Sequence, residues 1–401
     1  MLRLDLLSLP LDFTPETLNA LILRKLKCAP EQLKSVVLLK KAVDARDKAD
    51  VHFVLSVAVT LKDEAKVLAR LKPDVAAPFT FPKAPTLPKA RFEHPPVVVG
   101  AGPAGLFAAL TLARAGVQPI LIERGKPVEE RTKSVQMMQE QGILDPESNV
   151  QFGEGGAGTF SDGKLTTRIG DELCGFVTEV FLQHGAPEEI AWKQKPHVGT
   201  DLLRGVITSI RKEIEALGGE VHFNTALTGF EQKNGQLTGI FTTNGTFACE
   251  ALVFAVGHSA RDTFGMLMDG GLQLECKPFS VGFRAEHLQS EIEKSLYHEA
   301  AGHPALPRGE YQLSQHVGER CVYTFCMCPG GQVVASASEE CRVVTNGMSY
   351  HARAGENANS ALLVGVRPED FGDDHPLAGF VWQRSIEQAA FRLGGGGYKA
   401  P

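Results

Sequence analysis

Residues 97–123 limit what this chain can fold into more than any other stretch. They read VVVGAGPAGLFAALTLARAGVQPILIE. An apolar strand leads into a Gly-x-Gly-x-x-Gly turn at Gly100, Gly102 and Gly105, then a helix, a second apolar strand and a closing acid. This is a dinucleotide-binding βαβ unit, and each position has a physical reason. Gly100 allows the tight turn from strand to helix, Gly102 lets the backbone approach a pyrophosphate, and Gly105 lets the helix lie close to the strands. The helix beginning near Pro103 presents unpaired N–H groups and a positive dipole end to the phosphates. Glu123 stands 23 residues after Gly100, where a carboxylate accepts hydrogen bonds from ribose hydroxyls. An acid at that place favours an unphosphorylated ribose, hence FAD or NAD over NADP.

A chain of 401 residues has room for two or three domains. Its 43% hydrophobic and 22% charged residues are ordinary for a globular protein, and a net charge of −6 makes no electrostatic case for nucleic acid or an anionic membrane. Asp5 and Asp12 interrupt the N-terminal apolar residues where a secretory signal needs an unbroken run. No apolar run reaches the ~20 residues of a membrane helix. Eight cysteines without a regular framework suit reduced thiols, and a cytoplasmic location is expected.

Residues 1–72 read as a small α+β domain of order βαββα. The expected elements are a strand Arg3–Leu9, a helix Pro15–Leu26, strands Ser35–Val43 and His52–Leu61, and a helix Asp63–Leu71. The hairpin between the central strands carries Lys40, Lys41, Arg46 and Lys48, a basic patch for a partner or simply a solvated turn. Residues 73–96 hold seven prolines and form a stiff linker. The nucleotide domain occupies 97–192, with an inserted helix and β-meander at 193–250. It resumes at 251–271, where Ala255-Val256-Gly257 ends an apolar strand in small residues that permit close approach to a cofactor. A substrate-domain insertion is expected at 272–350, and 351–401 returns toward the nucleotide domain. The expected fold class is α/β: a Rossmann-like domain with an inserted α+β substrate domain, preceded by the small βαββα domain.

The GAGPAG turn, Glu123-Arg124-Gly125 and the AVG strand end resemble flavoprotein oxidoreductases of the glutathione-reductase-like FAD superfamily. Gly153 to Leu165 (GEGGAGTFSDGKL), Phe325 to Gly331 (FCMCPGG), Val344 to Ser349 (VTNGMS) and Asn357 to Ala361 (NANSA) are similar to the bacterial family of uncharacterised FAD-dependent dehydrogenases. The similarity spans nearly the whole chain. It implies FAD as cofactor, with the pyrophosphate on Gly100, Gly102, Pro103, Ala104 and Gly105, the adenosine ribose on Glu123, and Arg124 over the adenine or near the phosphates. It also implies that Gly155, Gly156, Ala157, Gly158 and Thr159 approach the isoalloxazine and pyrophosphate, with Val256 and Gly257 beside them. The superfamily's closing Gly-Asp motif and flavin-directed helix have no counterpart before Pro401, so a C-terminally truncated chain is expected.

For catalysis the candidates are Cys326, Cys328 and Lys164. A thiol near a flavin serves as redox partner or nucleophile when a positive field lowers its pKa, although Cys-x-Cys on a strand also suits two inert buried thiols. Arg168, His197 and Arg284 are further basic candidates for a carboxylate or the reduced flavin, and Asn357 and Asn359 offer amides. Cys321 and Cys341 lack metal-site spacing relative to Cys326 and Cys328, and no metal is expected. No second strand-glycine-helix unit appears, so NAD(P)H, if it donates electrons, visits transiently. The expected function is two-electron oxidoreduction of an unidentified small molecule. The alternatives are a saturase of an apolar or isoprenoid substrate, and a flavoprotein that binds or modifies a macromolecule through its N-terminal domain.

Overall fold

The computed structural model describes every residue of 1–401 except Arg168. The chain divides into two compact units, one formed by Met1–Pro85, Lys164–Val198 and Leu288–Glu310, the other by Thr86–Gly163, Gly199–His287 and Tyr311–Pro401. This division cuts across the expected segments, since 164–192 was placed with the nucleotide fold and 288–310 with the substrate layer.

The first unit opens with β1 (Leu2–Leu9), α1 (Pro15–Leu26), β2 (Leu33–Asp44), β3 (His52–Leu61), α2 (Glu64–Ala69) and β4 (Ala77–Pro78). Its antiparallel sheet runs β2-β3-β1-β4. Thr14 caps α1 by accepting from the Thr17 N–H, and the Thr17 hydroxyl accepts from the Thr14 N–H in return. Strict alternation would bury Leu2, Leu4 and Leu6 together, but the buried leucines of β1 are Leu2, Leu4, Leu7 and Leu9. A bulge between Leu4 and Leu7 resets the phase, with Leu6 at φ 54° and turned to solvent. These leucines join Ile22, Leu26, Phe53, Leu55, Val57 and Val59 in one core. Each contributes about 2 kcal/mol by leaving water. The alternative of a basic patch at the hairpin is weakened, because its Arg46 and Lys41 cations have partners of their own. Asp44 accepts from Arg46, and the Lys41 ammonium lies 4.0 Å from the Phe53 ring centroid. Later segments add α5 (Leu173–Gln183) and α8 (Gln289–Tyr297).

The second unit is built on β5 (Val97–Val99), α3 (Pro103–Arg114), β6 (Ile120–Ile122), α4 (Val128–Gln141), α6 (Thr200–Ala216) and β7 (Glu220–His222). A meander follows as β8 (Leu227–Lys233), β9 (Gln236–Thr242) and β10 (Gly245–Ala248), then β11 (Leu252–Phe254) and α7 (Arg261–Asp269). The parallel sheet has the order β11-β5-β6-β7. Val97, Val98, Val99, Leu121 and Ile122 are nearly or wholly buried, as strands covered on both faces require. Helix α6 buries Leu203, Val206, Ile207, Ile210 and Ile214 along one stripe. The expected insertion at 193–250 is therefore too wide. Residues 220–222 pair with β6 in the parallel sheet, and only β8 to β10 form the meander.

The remaining elements are β12 (Phe279–Leu288), β13 (Ser314–Val317), β14 (Arg320–Cys328), β15 (Gln332–Ala335), β16 (Thr345–Met348), β17 (Asn357–Val366) and α9 (Ala378–Leu393). They form a sheet of order β12-β17-β14-β13 and a hairpin of β15 with β16. Residues 357–366, expected to return to the nucleotide fold, lie instead at the heart of this second sheet.

Candidate functional site

A cavity of about 530 Å³ opens at the carboxyl ends of β5, β6 and β11, the place where ligands bind in open α/β sheets. Gly100, Gly102, Pro103, Ala104, Glu123, Arg124, Gly156, Ala157, Val256 and Gly257 all line it. Gly100 has φ 98°, and a Cβ there would lie 2.5 Å from the Ala255 carbonyl oxygen. A Cβ on Gly105 would lie 1.7 Å from the Gly100 carbonyl oxygen, so this glycine serves the turn from beneath and does not face the cavity. Gly102 is different. A Cβ there would meet nothing nearer than the Gly156 Cα at 3.9 Å, and this open space adjoins the first turn of α3.

Glu123 is buried at the end of β6. One carboxylate oxygen accepts from the Ala101 N–H at 2.8 Å, the other from the Gly125 and Gly153 N–H groups at 2.9 and 3.0 Å. A carboxylate has about four acceptor positions, so three bonds to the backbone leave capacity for a ribose hydroxyl. Arg124 stacks 4.7 Å from the Phe152 ring centroid and pairs with both Glu147 and Asp262, and these carboxylates reinforce its charge against desolvation.

The glycine-rich loop is held from behind by Arg131, which is fully buried. Its guanidinium donates to the carbonyls of Asn149, Val150, Gly153 and Glu154 at 2.6–3.2 Å. Burial lowers its pKa, and Glu123 and Glu154 oppose that change. Glu154, also fully buried, accepts from the Val128 N–H and from Arg211.

Three of the expected loop residues do not line the cavity. A Cβ on Gly155 would collide with Thr159 Oγ1 and Ile207, so that glycine serves packing. Thr159 is buried, and its carbonyl accepts from the Thr200 hydroxyl. Gly158 is outside the positive-φ region with nothing within 4 Å of an added Cβ. Gly158→Ala is accordingly expected to change the thermal midpoint and FAD content little, and loss of the cofactor in that variant would restore Gly158 to the site.

The residues expected for catalysis lie outside this cavity. Cys326 and Cys328 lie on β14 and do not line the cavity. Regular strand alternation would place both thiols on one face, but a bulge between Phe325 and Cys328 puts Cys326 at φ 49°. The Cys328 thiol is buried, with its sulfur 4.0 Å from Arg284 Nη2. Arg284 itself donates to Asn359 Oδ1 and to the Cys326 carbonyl, and Asn357 donates to Glu286. Lys164 and His197 form an isolated bridge within the unit that contains the N-terminus, not the unit that holds the cavity. Arg168 lies outside the described residues.

His258 and Ser259 line the cavity and were not anticipated, although they directly follow the AVG strand end. His258 Nδ1 lies 3.1 Å from the Ser259 hydroxyl. Partial desolvation of the ring, with Arg261 adding to it and Glu387 opposing, holds its pKa below 6.5. The unfolded chain thus takes up this proton at higher pH than the folded one. The stability His258 contributes is present above pH 6.5 and lost as pH falls toward the lowered folded value. His258→Gln should flatten the rise of thermal midpoint with pH on the acid side of the ordinary histidine range; an unchanged slope would assign that titration elsewhere.

The glycine turn, the parallel sheet and the strand-end cavity define an α/β nucleotide-binding protein. The chain belongs to the FAD binding domain family, whose model matches residues 93–319. A model described as FAD-dependent protein, C-terminal domain-like, matches 278–401, and a domain of unknown function matches 1–60. An uncharacterized protein of Clostridium beijerinckii is 48% identical over 405 residues, covering 100% of this chain and 76% of that protein. Among solved structures, L-amino acid deaminase from Proteus vulgaris aligns at 14% identity and TM-score 0.28, over 53% of this chain and 57% of its own. NikD, an unusual amino acid oxidase essential for nikkomycin biosynthesis, aligns at 12% identity and TM-score 0.32, over 71% and 72%. Likenesses this loose carry no argument about substrate. The family matches make it an FAD-binding protein with a mixed α/β fold. No helix among the described residues is long and apolar enough to cross a membrane.

Proposed function

We propose that the β5-β6-β11 cavity holds the adenosine and pyrophosphate half of FAD and that the protein transfers electron pairs to or from a small molecule. The observation that carries this reading is the unfilled space before Gly102 at the start of α3, where backbone and helix dipole receive a pyrophosphate without a side chain intervening. Gly100 and Gly105 shape the turn, and Pro103 and Ala104 begin the helix beneath the phosphates. Glu123 offers its remaining acceptor capacity to the ribose. Arg124, already paired with two carboxylates, flanks the adenine and leaves phosphate neutralisation to α3. Gly156, Ala157, Val256 and Gly257 form walls without bulky side chains, and an added Cβ on Gly257 would meet nothing within 4 Å.

FAD, when bound, supplies the two-electron chemistry, and the protein's part is to orient it and adjust its surroundings. His258, held toward its neutral form, can accept a proton at the cavity wall, and Ser259 can donate a hydrogen bond there. NAD(P)H is the proposed transient electron donor, because the single nucleotide cavity described is assigned to FAD. The eight cysteines are all free thiols, which supports a reducing compartment and therefore the cytoplasm. The test is anaerobic: NADH or NADPH should bleach the visible flavin spectrum, and a panel of small metabolites should restore it in the presence of one acceptor class. Failure of both nicotinamides and of every reduced metabolite to bleach the flavin would refute small-molecule oxidoreduction as proposed.

A further inference from the structure

In the first unit, β2 is an edge strand of its sheet. One residue of its outer edge is occupied: the Lys41 N–H donates to the Trp192 carbonyl at 2.7 Å, and the Gln194 N–H donates to the Lys41 carbonyl at 3.1 Å, in parallel sense. The Lys41 ammonium seals that end over Phe53. From Leu33 to Lys40 no outward backbone group of β2 has a partner among the described residues. Lys34, Ser35, Val37 and Lys40 are exposed along this stretch. Natural edge strands are short, covered, or interrupted by proline or inward-facing charge. Over these eight residues β2 carries register shifts between Leu33 and Ser35 and between Leu38 and Lys40, with Lys34 and Lys40 at the two ends, but no proline interrupts it and, among the described residues, no backbone partner covers the stretch between the two shifts.

Beside the open edge lies a cavity of about 470 Å³ between α1 and β2. Phe13, Leu18, Val36 and Leu38 give it an apolar wall, with Asn19 and Lys34 at its margin. A helix set beside an unpaired strand, with apolar space between them, meets the requirements for strand addition: backbone groups give affinity and pockets select alternate side chains.

We propose that this edge and groove form a docking site for an extended segment of another protein. The segment continues the strand line that Trp192–Gln194 begins, and its alternate apolar side chains fill the groove. An extended peptide is the occupant because only a backbone presents donors and acceptors at the spacing of a strand edge. Lys34 and Lys40 select acidic residues at its flanks.

The experiment selects a random eight-residue peptide library on the biotinylated full-length chain, synthesises the enriched peptide and measures its affinity by fluorescence anisotropy. The expected peptide alternates apolar with polar residues and carries flanking acids. Its binding should weaken by about tenfold or more in Asn19→Trp, which fills the groove from α1 without altering the β2 backbone. Lys34→Glu should weaken it as well, yet tighten binding of a peptide with lysine flanks. Amide hydrogen exchange should show β2 amides between Leu33 and Lys40 gaining protection with peptide bound. Three results would each overturn the proposal: no enriched peptide, binding indifferent to Asn19→Trp, or β2 amides already protected in a concentration-dependent dimer. The last would assign the edge to a second copy of the chain.

Discussion

Arg131→Met should cost about 3–5 kcal/mol of stability and remove the ability to retain FAD. The methionine roughly fills the space, but the carbonyls of Asn149 and Val150 lose their donor, while those of Gly153 and Glu154 keep only the Gly156 N–H and the Thr159 hydroxyl, and each buried, unsatisfied acceptor costs about 1–3 kcal/mol before relaxation. The damage is transmitted to the cavity because Gly153 donates to Glu123, the proposed ribose ligand, and Gly153 and Phe152 both line the cavity. Arg131→Lys should recover little, since one ammonium cannot serve four carbonyls spread around a planar fork. Urea unfolding with an FAD titration of each variant measures both effects. Wild-type stability and affinity in Arg131→Met would show that the loop holds its shape without the guanidinium.

Gly105→Val should leave no soluble protein containing FAD. Even its Cβ would lie 1.7 Å from the Gly100 carbonyl oxygen and 2.9 Å from the carbonyl carbon, both backbone atoms that no rotamer change can move. Relief requires α3 to leave β5, which disrupts the turn and the sheet core beneath it. Gly205→Ala supplies the contrast. Gly205 lies within α6 with nothing within 4 Å of an added Cβ, so alanine there should stabilise by about 0.5–1 kcal/mol through helix propensity. Purified yield and thermal midpoint distinguish the two glycines, and a folded, yellow Gly105→Val protein would contradict the close-packing argument.

What could be read from the sequence followed from the range of the interactions involved. The β5-α3-β6 unit was legible because its periodicity, glycines and closing acid are all local. The N-terminal elements were legible for the same reason, and His52–Leu61 and Pro15–Leu26 fall where the apolar pattern placed them. The bulge at Leu6 was not, because leucines occupy both phases of the strand and only the packed core chooses between them. Arg131 has no signature, since nothing nearby in sequence shows that carbonyls 18 to 23 residues away surround it. The sheet that joins β12 to β17 brings together segments more than 60 residues apart, so residues 351–366 read as a return to the nucleotide fold. Cys326 and Cys328 drew attention as a thiol pair, but the bulge that separates their geometry leaves no composition signal. His258 belongs to no motif of its own and is marked only by following the AVG strand end directly.

The claim on which the functional account rests is that FAD's pyrophosphate occupies the space before Gly102. The direct measurement is flavin released per folded chain, compared between the wild type and Gly102→Val after reconstitution with FAD. A Cβ has room in the protein itself, the nearest atom being Gly156 Cα at 3.9 Å, and the thermal midpoint measured beside the flavin content separates loss of cofactor from loss of fold. The account predicts about one FAD per wild-type chain and an affinity at least about a hundredfold weaker in the variant. Equal FAD content in the two proteins would contradict it.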